Sequence, residues 1–176
     1  VYTAWLNKRG GIESDLTVTR LNEDIFLVIT AGANQIRDLA WLNKNIPEDA
    51  KTTVTDVTSG YTVLSLMGPE SRNLMSRLTT EDLSNQAFPF GTGRKIEIGY
   101  AKALALRMTY VGELGWEIYL PTEFAQDIFD KIIAAGGEHG LKLAGMHALN
   151  SLRLEKAYRH WGHDITDEDT PLDAGL

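Results

Sequence analysis

The chain has 176 residues, of which 43% are hydrophobic and 23% charged, with no cysteine and a net charge of −7. That length and apolar content provide for a packed core and exclude intrinsic disorder, and the lack of cysteine excludes disulfides, thiolate nucleophiles and zinc–thiolate centres. The acidic balance argues against a nucleic-acid partner, and no apolar run reaches the roughly 20 residues of a membrane-crossing helix. No nucleic-acid or membrane partner is therefore expected, and the setting expected is the bacterial cytoplasm or the mitochondrial matrix. The opening on Val1 without an initiator Met, and the turn-like DEDTPLDAG before Leu176, lead us to expect a segment of a longer polypeptide.

Tyr2 to Asn7 reads as a short strand, and the Gly pair closing Lys8 to Gly11 suits a hairpin turn. Ile12, Leu16, Val18 and Leu21 mark a second strand, and the apolar run Ile25 to Ile29 a buried third. Ile36, Leu39, Ala40 and Leu42 form a helix face that ends at Pro47. Thr52 to Val57 and Tyr61 to Leu66 are β-branched runs around Ser59-Gly60 and predict a second hairpin.

Gly68-Pro69 opens a helix with Leu74, Met75 and Leu78 on its apolar face, and Phe88 to Gly93 is a loop. Ile96 and Ile98, then Ala103 to Tyr110, then Trp116 to Leu120 read as three strands. Thr122 is placed to cap a helix with Phe124, Ile128, Phe129, Ile132 and Ile133 buried, which Gly136-Gly137 terminates. Ala144 to Lys156 is a last helix with Leu149, Leu152 and Leu154 apolar. The fold class expected is α+β, with antiparallel sheets, helices packed on one face and a ferredoxin-like split β-α-β subdomain over 51–137. Residues 1–50 would form part of a first subdomain, to which 138–176 would return.

Three stretches carry chemistry-bearing residues. Asp15 in GGIESDLTVT could polarise or orient an amine nucleophile, and Glu13 is as plausible on those grounds, but an Asp at a strand start is usually a solvated turn residue. In MTYVGELGWEIYL two glycines interrupt a strand-like run, and a carboxylate beside an aromatic could hold the N–H edge of a flat heterocycle. Against that stands a β-bulge with Trp116 in the core and both Glu113 and Glu117 solvated. RLEKAYRHWGHD gathers Arg153, Lys156, Arg159, His160, Trp161 and His163, able either to meet an anion or to answer a helix dipole. The histidine spacing fits no metal site, and none is expected.

Together GGIESDLTVTRL, MTYVGELGWEIYL and ALNSLRLEKAYRHWGHDITDEDTPLDAGL resemble the aminomethyltransferase region of dimethylglycine and sarcosine dehydrogenases, and the first two also resemble the glycine-cleavage T-protein. The resemblance implies a fragment of a larger cloverleaf fold around tetrahydrofolate, with FAD in a preceding domain of the parent protein. It makes Asp15 the catalytic carboxylate and Glu117 the residue that grips the pterin, with Tyr110 and the backbone near Thr30 beside the folate. Two departures stand out. Leu149 occupies the place of an Arg that contacts the folate tail, leaving Arg107, Lys156 or Arg159 for that task, and Ala31 replaces an Asn.

The activity implied is transfer of a one-carbon unit from an oxidised N-methyl amine, as an iminium or as formaldehyde, to tetrahydrofolate, giving 5,10-methylenetetrahydrofolate. The alternatives are a stand-alone aminomethyltransferase or tetrahydrofolate-dependent demethylase, and a non-catalytic folate-fold regulatory module.

Overall fold

The computed structural model describes residues 1–176. The chain forms two compact units, one made of Val1–Asp56 with Arg159–Leu176, the other of Val57–Tyr158. The boundaries thus fall at 56 and 158, where 50 and 137 were expected. The stretch from 138 to 158 stays with the second unit, where Leu141 packs against the core.

The first unit holds an antiparallel meander of β1 (Tyr2–Leu6), β2 (Ile12–Arg20) and β3 (Phe26–Ile29), with helix α1 (Gln35–Asn45) after it. β2 has the period of a half-buried strand: Ile12, Ser14 and Leu16 are buried, and Glu13, Asp15 and Thr17 between them are half-buried. The run 26–29 is exposed or half-buried, so β3 is an edge strand and not the buried one expected. Within α1 the apolar residues are not the buried ones. Ile36 is exposed, and the residue taken inside is Asp38.

Residues 159–176 complete this unit by bonding back to the start of β2. Ile12 donates its N–H to Asp169 O at 2.8 Å and accepts the Trp161 indole N–H on its own carbonyl at 2.7 Å. Gly11 is the point of closest approach, since a Cβ there would lie 1.9 Å from Asp167 O.

The second unit is a four-stranded antiparallel sheet of β4 (Tyr61–Met67), β5 (Gly93–Ile98), β6 (Ala101–Leu106) and β7 (Gly115–Pro121), in the order β4-β7-β6-β5. The connection from β4 through helix α2 (Ser71–Met75) leads to the far edge, and β7 returns between β4 and β6. Leu66, Ile96, Ile98, Ala103, Ala105, Trp116, Ile118 and Leu120 point to one face, where Leu74 and Met75 of α2 and Ile128 and Ile132 of helix α3 (Ala125–Gly136) cover them. The antiparallel α+β arrangement with helices on one face is the expected one.

Further local expectations fail. Ile133, expected in the buried stripe of α3, is 39% exposed. Residues 52–57 form no strand, because β4 pairs only with β7 and a β-branched run without a partner gains no ladder. Thr122 opens a 3-10 turn and makes no cap; its hydroxyl donates to Ser59 O at 3.0 Å. On α4 (Met146–Glu155) Leu152 and Leu154 are 40% and 53% exposed, whereas Arg153 is 2% exposed. That guanidinium bonds Asn150 Oδ1 and the Tyr158 carbonyl, among its partners.

Helix α4 ends in a Schellman turn. Tyr158 N–H reaches Arg153 O and Ala157 N–H reaches Leu154 O, with Ala157 at φ 56°, a left-handed conformation usually given to glycine. No helix is long and apolar enough to cross a membrane.

Candidate functional site

Glu117 lies on β7 between Trp116 and Ile118, so strand alternation turns it to the sheet face opposite α2 and α3. It pairs in register with Ser65 of β4 and Leu106 of β6. No bulge interrupts the β4–β7 ladder here, and Trp116 is in the core as a regular strand residue. Glu117 is half-buried and Glu113, in the preceding loop, is exposed.

The Tyr119 hydroxyl, two residues along the same face, donates to Glu117 Oε2 at 2.7 Å. Tyr119 is itself buried, and burial, the Glu117 charge and this bond together push its ionisation well above the ordinary tyrosine value. The phenol therefore remains a donor across neutral pH and fixes one carboxylate oxygen of Glu117. Oε1, and the second lone pair of Oε2, stay available to accept from a planar N–H donor pair.

Tyr110 precedes β7 in the loop that contains Gly112. Its ring stacks on Tyr158, with centroids 6.2 Å apart and planes 17° from parallel. Gly112 has φ 68°, and a Cβ there would come 2.5 Å from Lys156 Cγ, so the lysine stem packs directly on the loop while its ammonium lies 3.8 Å from Glu113.

In the first unit, Asp15 is half-buried on β2 opposite Ala4, and Tyr2 donates its hydroxyl to Asp15 Oδ2 at 2.7 Å. Thr30 is half-buried directly after Ile29, which pairs with Thr17 two residues from Asp15. Both therefore belong to the same end of the three-stranded sheet. Ala31 is exposed and extended and opens the 3-10 turn 32–34.

One cluster was not anticipated from the sequence. Ser14 and Asp38, both buried, are hydrogen-bonded at 3.0 Å. Arg37 donates to Glu13 O and Glu13 Oε1 at 2.6 and 2.5 Å, and its guanidinium sits 4.7 Å from the Trp161 ring centroid. Glu13 is thus an anchor for Arg37. Trp161, grouped in the sequence with an anion-binding patch, is spent on Arg37 and Ile12. An i, i+1 Arg-Asp pair inside a helix gives no sequence signal of this role.

The remaining residues of that patch also divide. Arg153 donates to the Tyr158 carbonyl, Lys156 answers Glu113, and His160 and His163 meet ring to ring at 5.2 Å. Leu149 is half-buried on α4. Arg107 lies 5.9 Å from the ring centroid of Trp116, on the helix-covered side of the sheet.

The GCVT N-terminal domain model matches residues 1–176. Among curated proteins, a 4-methylaminobutanoate oxidase (formaldehyde-forming) of Paenarthrobacter nicotinovorans is 47% identical over 100% of this chain and 21% of its own length. The mitochondrial pyruvate dehydrogenase phosphatase regulatory subunit of Mus musculus is 36% identical over 99% of this chain and 20% of its own. Mitochondrial sarcosine dehydrogenase of Mus musculus is 37% identical over 100% and 21%. The chain thus spans about a fifth of the length of these relatives. Among solved structures, glycine cleavage system aminomethyltransferase T from Bartonella henselae superposes with a TM-score of 0.83 and 30% identity, covering 98% of this chain and 44% of that one.

Proposed function

Because the chain belongs to the GCVT N-terminal domain family, whose members bind tetrahydrofolate, we propose that it is the folate-binding, one-carbon-transfer part of a flavin-dependent N-demethylating enzyme. The observation that carries this reading is Glu117, a half-buried carboxylate on an open sheet face with one oxygen fixed by a phenol that does not ionise near neutrality. Pterin offers an amide and amino edge of the kind such a carboxylate accepts in pairs. The residues present fit the group.

In this reading Glu117 orients the pterin, and Tyr110, backed by Tyr158, supplies a flat apolar wall. Thr30 contributes backbone contacts. Asp15 is the catalytic carboxylate: its negative charge, oriented by the Tyr2 hydroxyl, favours cationic character at the reacting amine. Tetrahydrofolate supplies the nucleophilic nitrogen that accepts the one-carbon unit, derived from an N-methyl amine as an iminium or as formaldehyde. The protein supplies position, and holding two reactants in register replaces a bimolecular encounter.

An FAD-containing domain preceding this one, an N-methyl amine as the source of carbon, and a cytoplasmic or mitochondrial-matrix setting belong to the same proposal. They are supported by the oxidase and dehydrogenase among the relatives. A second reading, a module without turnover, is favoured by the phosphatase regulatory subunit, which is nearly as similar as the dehydrogenase.

Calorimetric titration with 5-formyltetrahydrofolate tests the site. Glu117→Gln should weaken saturable binding roughly tenfold or more, the worth of a charge-assisted pair of hydrogen bonds. Equal binding by the variant would sink the assignment. Folate binding without folate-dependent capture of formaldehyde would favour the regulatory reading.

A further inference from the structure

The segment between α2 and β5 contains neither helix nor strand and is tied down by three arginines. Arg94 takes the side of the segment that carries acids. It bonds Glu81 Oε2 at 3.2 Å and the carbonyls of Asp82 and Ala87. The Asp82 carboxyl is held below its ordinary value, first by hydrogen bonds from Ser84 and then by the Arg94 charge.

Arg72 and Arg107 are placed differently. Nε of Arg72 donates to Leu83 O at 2.9 Å, and NH1 of Arg107 donates to Phe88 O at 2.5 Å. Their NH2 groups then converge on a single acceptor, Oδ1 of Asn85, at 2.6 and 2.7 Å. That oxygen is neutral, and neither of these two arginines takes part in an ion pair, unlike Arg94, Lys131 and Lys156.

Holding the loop carbonyls accounts for one edge of each guanidinium. It does not account for bringing two cations to one uncharged oxygen, an arrangement that is repulsive as it stands. Burial first, and the nearby Arg72 charge second, already lower the Arg107 pKa. NH1 of Arg72, Nε of Arg107 and the amide nitrogen of exposed Asn85 make no hydrogen bond within the protein and remain as donors. Planar guanidinium forks match the paired oxygens of phosphate and carboxylate groups. In a chain of net charge −7 this is a local exception, not part of a general basic field.

We propose that Arg72, Arg107 and Asn85 form a binding site for a small oxyanion of the phosphate or carboxylate class. It lies toward the helix-covered side of the sheet, on which Arg107 meets Trp116, and away from the face that carries Glu117. The site stands independently of the folate reading.

The test is calorimetric titration of the protein with inorganic phosphate, and separately with malonate, at ionic strength held constant with sodium chloride. Saturable binding of either is expected, and whichever binds tighter assigns the class. Asn85→Asp puts a carboxylate where the neutral oxygen now sits; it should raise the melting temperature and weaken anion binding by about tenfold or more. Arg107→Lys keeps the charge and loses the fork, and should weaken anion binding severalfold. No saturable binding of either anion, or binding unchanged in Asn85→Asp, would overturn the proposal.

Discussion

The Tyr119 hydroxyl donates to Glu117 Oε2 at 2.7 Å, two residues away on the same face of β7, so a buried phenol sets the direction of the carboxylate. Tyr119→Phe should leave Glu117 free to turn to solvent and lower affinity for a reduced folate about three- to tenfold, the range of one hydrogen bond worth about 0.5–1.5 kcal/mol. Calorimetry on the wild type and the variant measures it. An unchanged affinity would mean that Glu117 needs no orienting partner.

The same pair predicts an alkaline limit. The folded state keeps the Tyr119 proton to a higher pH than the unfolded chain does. Its contribution to stability is therefore fully present below about 10, the unfolded value, and is lost as pH rises beyond it. Spectrophotometric titration should show a tyrosine component that ionises only with unfolding, absent in Tyr119→Phe.

Ser14 and Asp38 are each almost wholly removed from solvent and bonded to one another. Ser14→Ala should cost about 1–3 kcal/mol, because Asp38 would lose a partner inside the protein. Urea unfolding of the single variants and of Ser14→Ala with Asp38→Ala gives the coupling, expected to be well above zero.

Ala157 stands in the left-handed position of a Schellman turn at φ 56°. Ala157→Gly removes the clash of Cβ with the backbone and should stabilise by about 0.5–1 kcal/mol, less the added freedom of the unfolded chain. The midpoint of urea unfolding should rise with its slope unchanged.

Gly11→Ala should do the opposite and severely. The new Cβ would meet a backbone carbonyl, Asp167 O, at 1.9 Å, and no side chain can move to relieve it. A loss of more than about 3 kcal/mol, or failure to fold, is expected.

The elements legible in the sequence were those whose pattern is local. The alternation at Trp116, Ile118 and Leu120 and the helical spacing of Ile128 and Ile132 both mark buried faces, and both are in the core. Residues 52–57 show the opposite case, since β-branched composition cannot say whether a partner strand exists. Glu117 is proposed as a site residue from a glycine-interrupted strand and from family resemblance, and its bond from Tyr119 follows only from the alternation that puts both on one face. Trp161 and Ile12 lie 149 positions apart, and no local pattern encodes that bond. Asp38 was hidden for a different reason: a charge on a helix is expected outward, and its turning in is explained by Ser14 at 3.0 Å and Arg37 at 3.4 Å.

The chain leaves its first unit at residue 56 and re-enters it at 159. During synthesis the whole of the second unit is exposed before the last strip of the first exists. The sheet β4-β7-β6-β5 has every partner it needs by residue 121, while the carbonyl and N–H of Ile12 wait for Trp161 and Asp169. The first unit is thus a clasp that shuts last, with a closing loop of more than a hundred residues whose entropy cost grows only slowly with its length. Removal of 159–176 would therefore leave the second unit able to form its sheet while β2 loses the segment that buries its start.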